Sequence, residues 1–311
     1  MYPDSYIPQR LVKHFRDELT VQEHLGFVVF SDHEFGETFG YPFFLRSCAK
    51  PLQAALIIDN NLDFSVEEIA LCCASHAGEK CHVEIAKKLL KKIGCTENDL
   101  KCGIHEPLSK KAQINLIKND EKPTVFHNNC VGKHIMMLAL CKKNGWSIEN
   151  YYEMEHPVQQ AVKEKIYDLC EVIDEDYPIT KDGCGVPIFS MPLKNMLKGY
   201  LNLFLSPRYS KIQQAFREYP YIIGGEDRLD TKIITKSKNL IAKVGADGLV
   251  IVVNLDIADG MVIKVLDGDT KARELSALSL IKKLSWANIP FEQDIKTLHG
   301  ETVGLMKFVM V

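Results

Sequence analysis

A serine hydroxyl and a lysine amine lie three residues apart in Ser47-Cys48-Ala49-Lys50, immediately before the apolar run 52–58. If this stretch is helical, positions i and i+3 share one face, so the amine can reach the hydroxyl. A serine is a poor nucleophile until a base takes its proton, and a desolvated, neutral lysine can act as that base. The same spacing is common on solvated helix faces. The residues alone therefore make Ser47 a candidate nucleophile and Lys50 its candidate base.

A cysteine stands where another helix is predicted to begin. The run His127-Asn128-Asn129-Cys130 precedes an apolar segment at 135–140, which is followed by two lysines and Gly145. These are the usual signals of a helix start and a helix end. The helix dipole favours the thiolate near an N-terminus, and the thiolate is the form that binds zinc or attacks a carbonyl. The alternative is that Cys130 is a small buried core residue.

Another cysteine lies in a predicted tight turn. Cys184 stands between two glycines in the stretch 181–187, which ends at Pro187. Glycines on both sides let the backbone approach a ligand or a metal closely. A turn that merely contains a cysteine explains the pattern about as well, so this stretch alone leaves both interpretations open.

A lysine interrupts an apolar run late in the chain. Lys264 stands in the run 261–266, and on a strand its side chain would share a face with Val262 and Leu266. One interpretation is an edge strand with a single solvated charge. The other is a second amine directed into a catalytic site, where two nearby amines would lower each other's pKa and favour a neutral base.

The bulk composition is that of a soluble enzyme. The chain has 311 residues and a formal net charge of −3, which gives no electrostatic basis for binding nucleic acid or an anionic membrane. No apolar stretch is long enough to span a membrane, and the first residues lack the basic and apolar parts of a secretory signal. We therefore expect a cytoplasmic protein whose 10 cysteines are free or metal-bound. No Cys-x-x-Cys pair occurs, which argues against a thioredoxin-type or zinc-ribbon protein.

The apolar patterns predict a mixed fold. Strands are predicted at 27–31, 249–254, 261–266 and 303–311, and the middle two form a hairpin. Helices are predicted at 66–73, where Ser65 and Glu68 form a capping box, and at 79–93, 157–170 and 273–284, with a helical turn at 96–100. This order favours an α+β fold, in which helices pack on an antiparallel sheet. We expect one domain over residues 1–311.

Together these motifs resemble the L-asparaginase II family, the rhizobial-type or class 3 enzymes. The resemblance covers roughly residues 9–305, and the motifs follow the family's order along the chain. Besides the stretches around Ser47, Cys130 and Cys184, the matching segments are 75–79 with His82-Val83, 156–159, 225–231, 243–248 and Lys264 before Asp267-Gly268.

The resemblance implies a fold of the serine β-lactamase and glutaminase type. It also implies two serine–lysine pairs, Ser47 with Lys50 and Ser75 with Lys264. On this basis we expect an amidohydrolase that cleaves L-asparagine to L-aspartate and ammonia through an acyl-enzyme. The alternatives are the same chemistry on glutamine, a peptide or a β-lactam, and a zinc-binding protein without catalysis. Because the family often forms dimers, we expect a homodimer.

The resemblance further implies a zinc ion (Zn2+) held by Cys130, Lys133 and Cys184. Lysine is an unusual ligand, since its amine must lose a proton before it binds a metal. Judged by ligand type alone, His127 and His134 would be preferred, and they remain the competing assignment.

Two charged residues beside these motifs are candidates for substrate binding. Arg46 adjoins the candidate nucleophile, and a guanidinium can bind the substrate carboxylate through two hydrogen bonds. An ordinary surface ion pair is the alternative for Arg46. Asp182 lies close to Cys184 and is expected to contact the substrate or to accept a hydrogen bond from a metal ligand.

Overall fold

An antiparallel sheet forms the central layer of the structure. The computed structural model describes residues 5–173 and 176–310. The strands are β1 (Gln9–Arg16), β2 (Leu19–Val29), β3 (Glu34–Phe35), β4 (Pro42–Phe44), β5 (Ile179–Lys181), β6 (Pro187–Pro192), β7 (Leu240–Val244), β8 (Leu249–Asn254), β9 (Asp259–Val265), β10 (Asp294–Lys296) and β11 (Thr302–Phe308). Within these described ranges the larger sheet has eight strands, in the order β10-β11-β1-β2-β9-β8-β7 with β3 paired to β2. A smaller sheet has the order β4-β6-β5, and neighbouring strands in both sheets run antiparallel.

The other regular elements of the described chain are helices. They are α1 (Ala49–Asp59), α2 (Val66–Cys73), α3 (Lys80–Lys92), α4 (Lys110–Lys118), α5 (Val131–Asn144), α6 (Pro157–Cys170), α7 (Leu193–Phe204), α8 (Ser210–Glu218), α9 (Pro220–Ile223), α10 (Leu229–Lys236) and α11 (Thr270–Lys283). Short 3-10 helices lie at Arg46–Cys48, Glu97–Asp99, Val125–His127 and Pro207–Tyr209. Among the residues described, no helix is both long enough and apolar enough to cross a membrane.

Helices cover the part of the larger sheet that is formed by β9, β8 and the edge strand β7. Every residue of β7 and β8 is buried, and so is β9 from Gly260 onwards, which is the pattern of strands without a solvated face. Helices α7 and α11 both pack against β8 and β9. These strands therefore form a rigid support for the segments that enter the site from their ends.

Helices α2 and α5 approach each other unusually closely. A Cβ atom added to Gly132, in the first turn of α5, would lie 2.0 Å from the carbonyl oxygen of Leu71 in α2. Only glycine permits this backbone contact. The contact matters for the site because Ser75 follows the end of α2, and Cys130 immediately precedes α5.

The predicted α+β fold, with helices packed on an antiparallel sheet, is confirmed. The capping box at Ser65 is present: its backbone N–H donates to the Glu68 carboxylate at 2.7 Å, and its hydroxyl accepts from the Glu68 backbone N–H at 3.2 Å. Helix α6 matches its predicted bounds, and α3, α11 and the hairpin of β8 and β9 differ from theirs by a few residues. The predicted final strand corresponds to β11, and Val311 lies outside the described residues.

One strand prediction is correct only in part, and one interpretation of a strand is wrong. The strand predicted at 27–31 is only the end of β2, which begins at Leu19, and its partner β1 was not predicted. The outer half of β2 is exposed, and its apolar side chains, Leu19 and Val21, face solvent, so this half does not contribute to the core. The edge-strand interpretation of Lys264 also fails, because β9 lies between β2 and β8 in the sheet interior.

Candidate active site

Ser47 lies in a short helical turn that leads directly into α1. Leu45 N–H donates to the Phe189 carbonyl at 3.0 Å, and the Tyr200 hydroxyl donates to the Cys48 carbonyl at 2.7 Å, so both sides of the turn are anchored. Arg46, just before the serine, has a positive φ of 46°, a conformation that costs a non-glycine residue about 1 kcal/mol. The turn is therefore held in place by its surroundings.

A cleft of about 560 Å3 opens beside Ser47. Its lining brings together segments that are far apart in sequence: the turn of Ser47, the start of α5, and the turn between β5 and β6. Six of its residues carry the argument that follows: Arg46, Ser47, Asn129, Cys130, Asp182 and Cys184.

The amine of Lys50 is completely buried, with 0% of the residue exposed, and contacts Asn129 of the cleft lining. Nζ makes three hydrogen-bond contacts, to the Ala74 carbonyl at 2.7 Å, the Asn129 carbonyl at 2.9 Å and Ser75 Oγ at 3.0 Å. Burial lowers the pKa of Lys50 to about 8, because the low-dielectric interior disfavours the charged form. Lys50 thus has the properties of a base that works near neutral pH.

The neutral form of Lys50 has only two N–H donors and one lone pair. The two carbonyl partners, on Ala74 and Asn129, can only accept hydrogen bonds, so they take the two N–H groups. The lone pair then faces Ser75 Oγ, whose hydroxyl is the one partner able to donate. The neutral amine is therefore oriented to receive a proton from Ser75.

The observed serine–lysine contact differs from the two implied pairs. Lys50 is hydrogen-bonded to Ser75, and among the contacts of the described residues it has no hydrogen bond to Ser47. The spacing argument assumed that the i and i+3 side chains turn towards each other, whereas the Lys50 side chain is directed to the segments after α2 and before α5.

Lys264 is not hydrogen-bonded to Ser75 in this structure. Its Nζ donates to the backbone carbonyls of Asp247 and Val265, the latter at 3.0 Å, and lies 6.0 Å from the centre of the Phe43 ring. Burial lowers the pKa of Lys264, and the nearby Asp247 carboxylate partly opposes this effect. The second amine is therefore buried, as one interpretation of the sequence required, but its direct partners are backbone carbonyls.

A second group of reactive side chains faces the same cleft. One donor atom each from Cys130, Asp182 and Cys184 lies within 4.8 Å of the others, and Lys133 Nζ is 3.6 Å from Asp182 Oδ2. Cys130 precedes the first residue of α5, where its backbone N–H donates to Asn128 Oδ1 at 2.8 Å. All four clustered side chains are buried.

The charges in this cluster are strongly coupled. The hydrogen bond between the two thiols lowers the pKa of Cys130 well below its usual range and raises that of Cys184. Burial alone would lower the pKa of Lys133, but the Cys130 and Cys184 sulfurs and the Asp182 carboxylate raise it. Burial tends to raise the pKa of Asp182, but the positive charges of Lys133 and Arg46 lower it. The charges have the larger effect, so the pKa of Asp182 lies below its usual value.

The donor set fits a metal such as zinc, which binds sulfur, nitrogen and oxygen ligands. The family resemblance implied Cys130, Lys133 and Cys184 in this role, and the structure brings them together with Asp182. The competing ligand His127 instead accepts the Thr124 backbone N–H at Nδ1, at 2.9 Å. For His134, the corresponding contact joins Nδ1 to the Tyr151 hydroxyl at 2.7 Å. Neither histidine belongs to a metal-binding cluster among the described residues.

Arg46 links two carboxylates at the rim of the cleft. Its Nε and Nη2 each lie 3.1 Å from Asp182 Oδ1, and its Nη1 donates to Asp247 Oδ2. The side chain remains 27% exposed, so it can still be reached from solvent. Sequence reasoning missed Asp247, although its place in the turn Gly245-Ala246-Asp247-Gly248 was a usable signal, because such turns bring side chains to the ends of strands.

Three comparisons relate this chain to known proteins, and one of them identifies its family. A search of curated proteins found no match. Among solved structures, a β-lactamase from Mycobacterium bovis matches with 12% identity and a TM-score of 0.40, over 89% of this chain and 95% of that one. A protein described as a candidate β-lactamase from Bacteroides dorei matches with 11% identity and a TM-score of 0.44, over 90% and 93%. The family model for L-asparaginase II matches residues 12–307, nearly the whole chain, which confirms the resemblance drawn from the sequence. The chain belongs to the L-asparaginase II family.

Proposed function

We propose that this protein hydrolyses L-asparagine to L-aspartate and ammonia through a serine acyl-enzyme. Membership of the L-asparaginase II family supports an amidohydrolase. The observation that carries the proposal is the buried Lys50 amine, whose pKa is lowered to about 8 and which lies 3.0 Å from Ser75 Oγ. A base of this kind supports proton transfer from a serine at neutral pH.

The proposed first step uses both serines. Ser47, which lines the cleft, attacks the side-chain amide carbon of asparagine, and its proton passes to Ser75 Oγ while the Ser75 proton passes to Lys50 Nζ. The tetrahedral intermediate then breaks its C–N bond, and the protonated Lys50 returns the proton so that ammonia leaves. Water hydrolyses the resulting aspartyl ester by the same relay, which regenerates the Ser47 hydroxyl.

We assign Lys264 a supporting part in this site. Its hydrogen bond to the Asp247 carbonyl fixes the turn whose carboxylate binds Arg46. Arg46, partly exposed on the cleft, is our candidate for the substrate α-carboxylate. Asp182 holds Arg46 from the other side and is the candidate carboxylate for contacts near the substrate's polar end.

We further propose that the cluster at the start of α5 binds zinc. Cys130, Lys133 and Cys184 would be its ligands, and Asp182 is near enough to join them or to orient Lys133. When bound, zinc would supply a positive charge and an open coordination position for a polar group of the substrate. The protein's own contribution is to hold the turn between β5 and β6 against the start of α5.

The direct test is ammonia release from purified protein with asparagine and with glutamine as substrates. Asparagine turnover that Ser47→Ala and Ser75→Ala each reduce by orders of magnitude supports the proposal. Turnover of glutamine, a peptide or a β-lactam in place of asparagine would transfer the same chemistry to another substrate. Folded protein that releases no more ammonia from asparagine and glutamine than a buffer blank, and that hydrolyses neither a peptide nor a β-lactam, would refute the enzyme assignment. A covalent adduct trapped on Ser75 would exchange the roles of the two serines.

Expectations about assembly, location and partners accompany this function. We propose a homodimer in the cytoplasm, with no nucleic-acid or membrane partner. Sedimentation velocity of the purified protein across a range of concentrations tests the dimer, and a monomer at all concentrations would refute it.

A further inference from the structure

A second cluster of metal-binding side chains lies at the start of α3, apart from the cluster of Cys130. One donor atom each from Glu79, Cys81 and His82 lies within 4.8 Å of the others. Cys81 Sγ is 3.6 Å from His82 Nδ1. A thiol, an imidazole and a carboxylate together form a donor set that suits zinc.

The imidazole of His82 has its lone pair on the side of this cluster. Nε2 lies 3.2 Å from the Tyr221 carbonyl, which can only accept a hydrogen bond, so Nε2 carries the proton. Nδ1 is then the unprotonated nitrogen, and it faces Cys81 Sγ and the Glu79 backbone N–H at 3.2 Å. An imidazole whose other nitrogen donates to a backbone carbonyl is the usual arrangement of a histidine metal ligand. A bound ion would replace the 3.2 Å contact from the Glu79 N–H.

The carboxylate of Glu79 provides independent evidence that a cation binds here. Glu79 is only 8% exposed, and its Oε2 accepts a hydrogen bond from the Tyr221 hydroxyl. Its Oε1 is buried and has no hydrogen-bond partner among the described residues. A buried carboxylate oxygen without a partner is costly, and a bound cation would remove that cost.

The cluster is open to solvent on one side. Glu79, Cys81 and Tyr221 help to line a cleft of about 830 Å3, and Cys81 is only partly buried. An ion can therefore enter, and water from the cleft can occupy its remaining coordination position. Neither Cys130 nor Cys184 lines this cleft.

We propose that Glu79, Cys81 and His82 form a second zinc site. The ion would link Cys81 and His82, in the first turn of α3, to the Glu79 carboxylate, which accepts a hydrogen bond from Tyr221 of α9. The His76 ring stacks on the His82 ring with 4.9 Å between their centres, so fixing His82 also restrains the segment that carries Ser75. The site is a structural clamp beside the catalytic segment and takes no part in the chemistry.

The test measures bound metal and therefore does not depend on turnover. Metal-free protein is titrated with Zn2+, and with Co2+ to observe sulfur-to-metal charge transfer, in the wild type, Cys81→Ser, Glu79→Gln and the matched control Cys95→Ser. Cys95 is a free, buried cysteine just beyond the other end of the same helix. We expect wild type and Cys95→Ser to bind one more ion per chain than Cys81→Ser, and Glu79→Gln to bind that ion at least about tenfold more weakly.

The difference between variants decides the outcome, whatever the cluster of Cys130 binds. Equal stoichiometry in wild type and Cys81→Ser overturns the proposal. An ion lost in Cys81→Ser but bound with unchanged affinity in Glu79→Gln also overturns it, because that pattern means adventitious binding to a lone thiol. A Cys130→Ser, Cys184→Ser double variant that keeps the Cys81-dependent ion separates this site from the cluster of Cys130. Circular dichroism of each variant confirms that it is folded.

Discussion

Asparagine turnover is expected to rise with pH as Lys50 loses its proton. The protonated amine has no lone pair, so it cannot accept the Ser75 proton, and the rate follows the neutral fraction. With the pKa of Lys50 lowered to about 8, about one molecule in eleven is neutral at pH 7. At the usual lysine pKa of 10.5, the neutral fraction at pH 7 would be about one in three thousand. Burial of Lys50 therefore provides about 300-fold more active base at that pH.

The assay is kcat/KM for ammonia release between about pH 6 and pH 10. The logarithm should rise with unit slope up to about pH 8 and then level off, a gain of about tenfold between pH 7 and pH 9. Because the α-amino group of free asparagine also titrates in this range, succinamic acid, which lacks that group, is the control substrate. Both substrates should share the same midpoint. Lys50→Arg should be inactive at every pH, since a guanidinium stays charged.

Three results would refute this reasoning. A profile that is flat across the range would exclude a titrating base. A profile that still rises with unit slope up to pH 10 would mean that burial does not lower the pKa of Lys50. A Lys50→Arg variant with wild-type turnover would remove Lys50 from the mechanism altogether.

Three further predictions concern the serines, the metal ligands and the helix contact. Ser47→Ala and Ser75→Ala should each lower kcat by orders of magnitude, with the double variant little worse than either one, because the two hydroxyls act in one relay; additive losses in steady-state kinetics would contradict the relay. Cys130→Ala and Cys184→Ala should each remove the cluster's zinc and raise KM more than they lower kcat, which metal analysis and steady-state kinetics will measure. Metal-free protein that is folded but inactive at saturating asparagine would instead make zinc directly catalytic. Gly132→Ala should lower the free energy of unfolding in urea by about 2 kcal/mol or more, because the alanine Cβ would lie 2.0 Å from a backbone oxygen of the facing helix. An unchanged urea midpoint would show that the two helices can separate freely.

The elements that were predicted correctly have local signals. The capping box at Ser65 is complete within four residues, and α6 begins with Pro157 at its first position. These signals depend on neighbouring backbone groups, so they can be recognised without the rest of the fold. The stretch β1 to β2 has no such signal, because its stability comes from pairing with β9 and β11.

The candidate site was predictable as a set of residues but not as a set of contacts. The motifs identified Ser47, Lys50 and Ser75, yet which serine the amine contacts depends on how α2 and α5 pack. Likewise Lys264 was expected to meet a serine, and its hydrogen bonds go to the carbonyls of Asp247 and Val265. Such contacts join residues far apart in the chain, and no local pattern encodes them.

The carbonyl of Asn129 accepts a hydrogen bond from Lys50, and the next residue is Cys130. One peptide unit thus belongs to both the base and the candidate metal ligand. A rotation of that peptide would remove an acceptor from the amine and shift the cysteine in the same movement. A substitution at this peptide therefore cannot change the hydrogen bonding of Lys50 without also moving Cys130. We expect a change of substrate preference to be tolerated more readily at the rim, where part of Arg46 is exposed, than at this shared peptide.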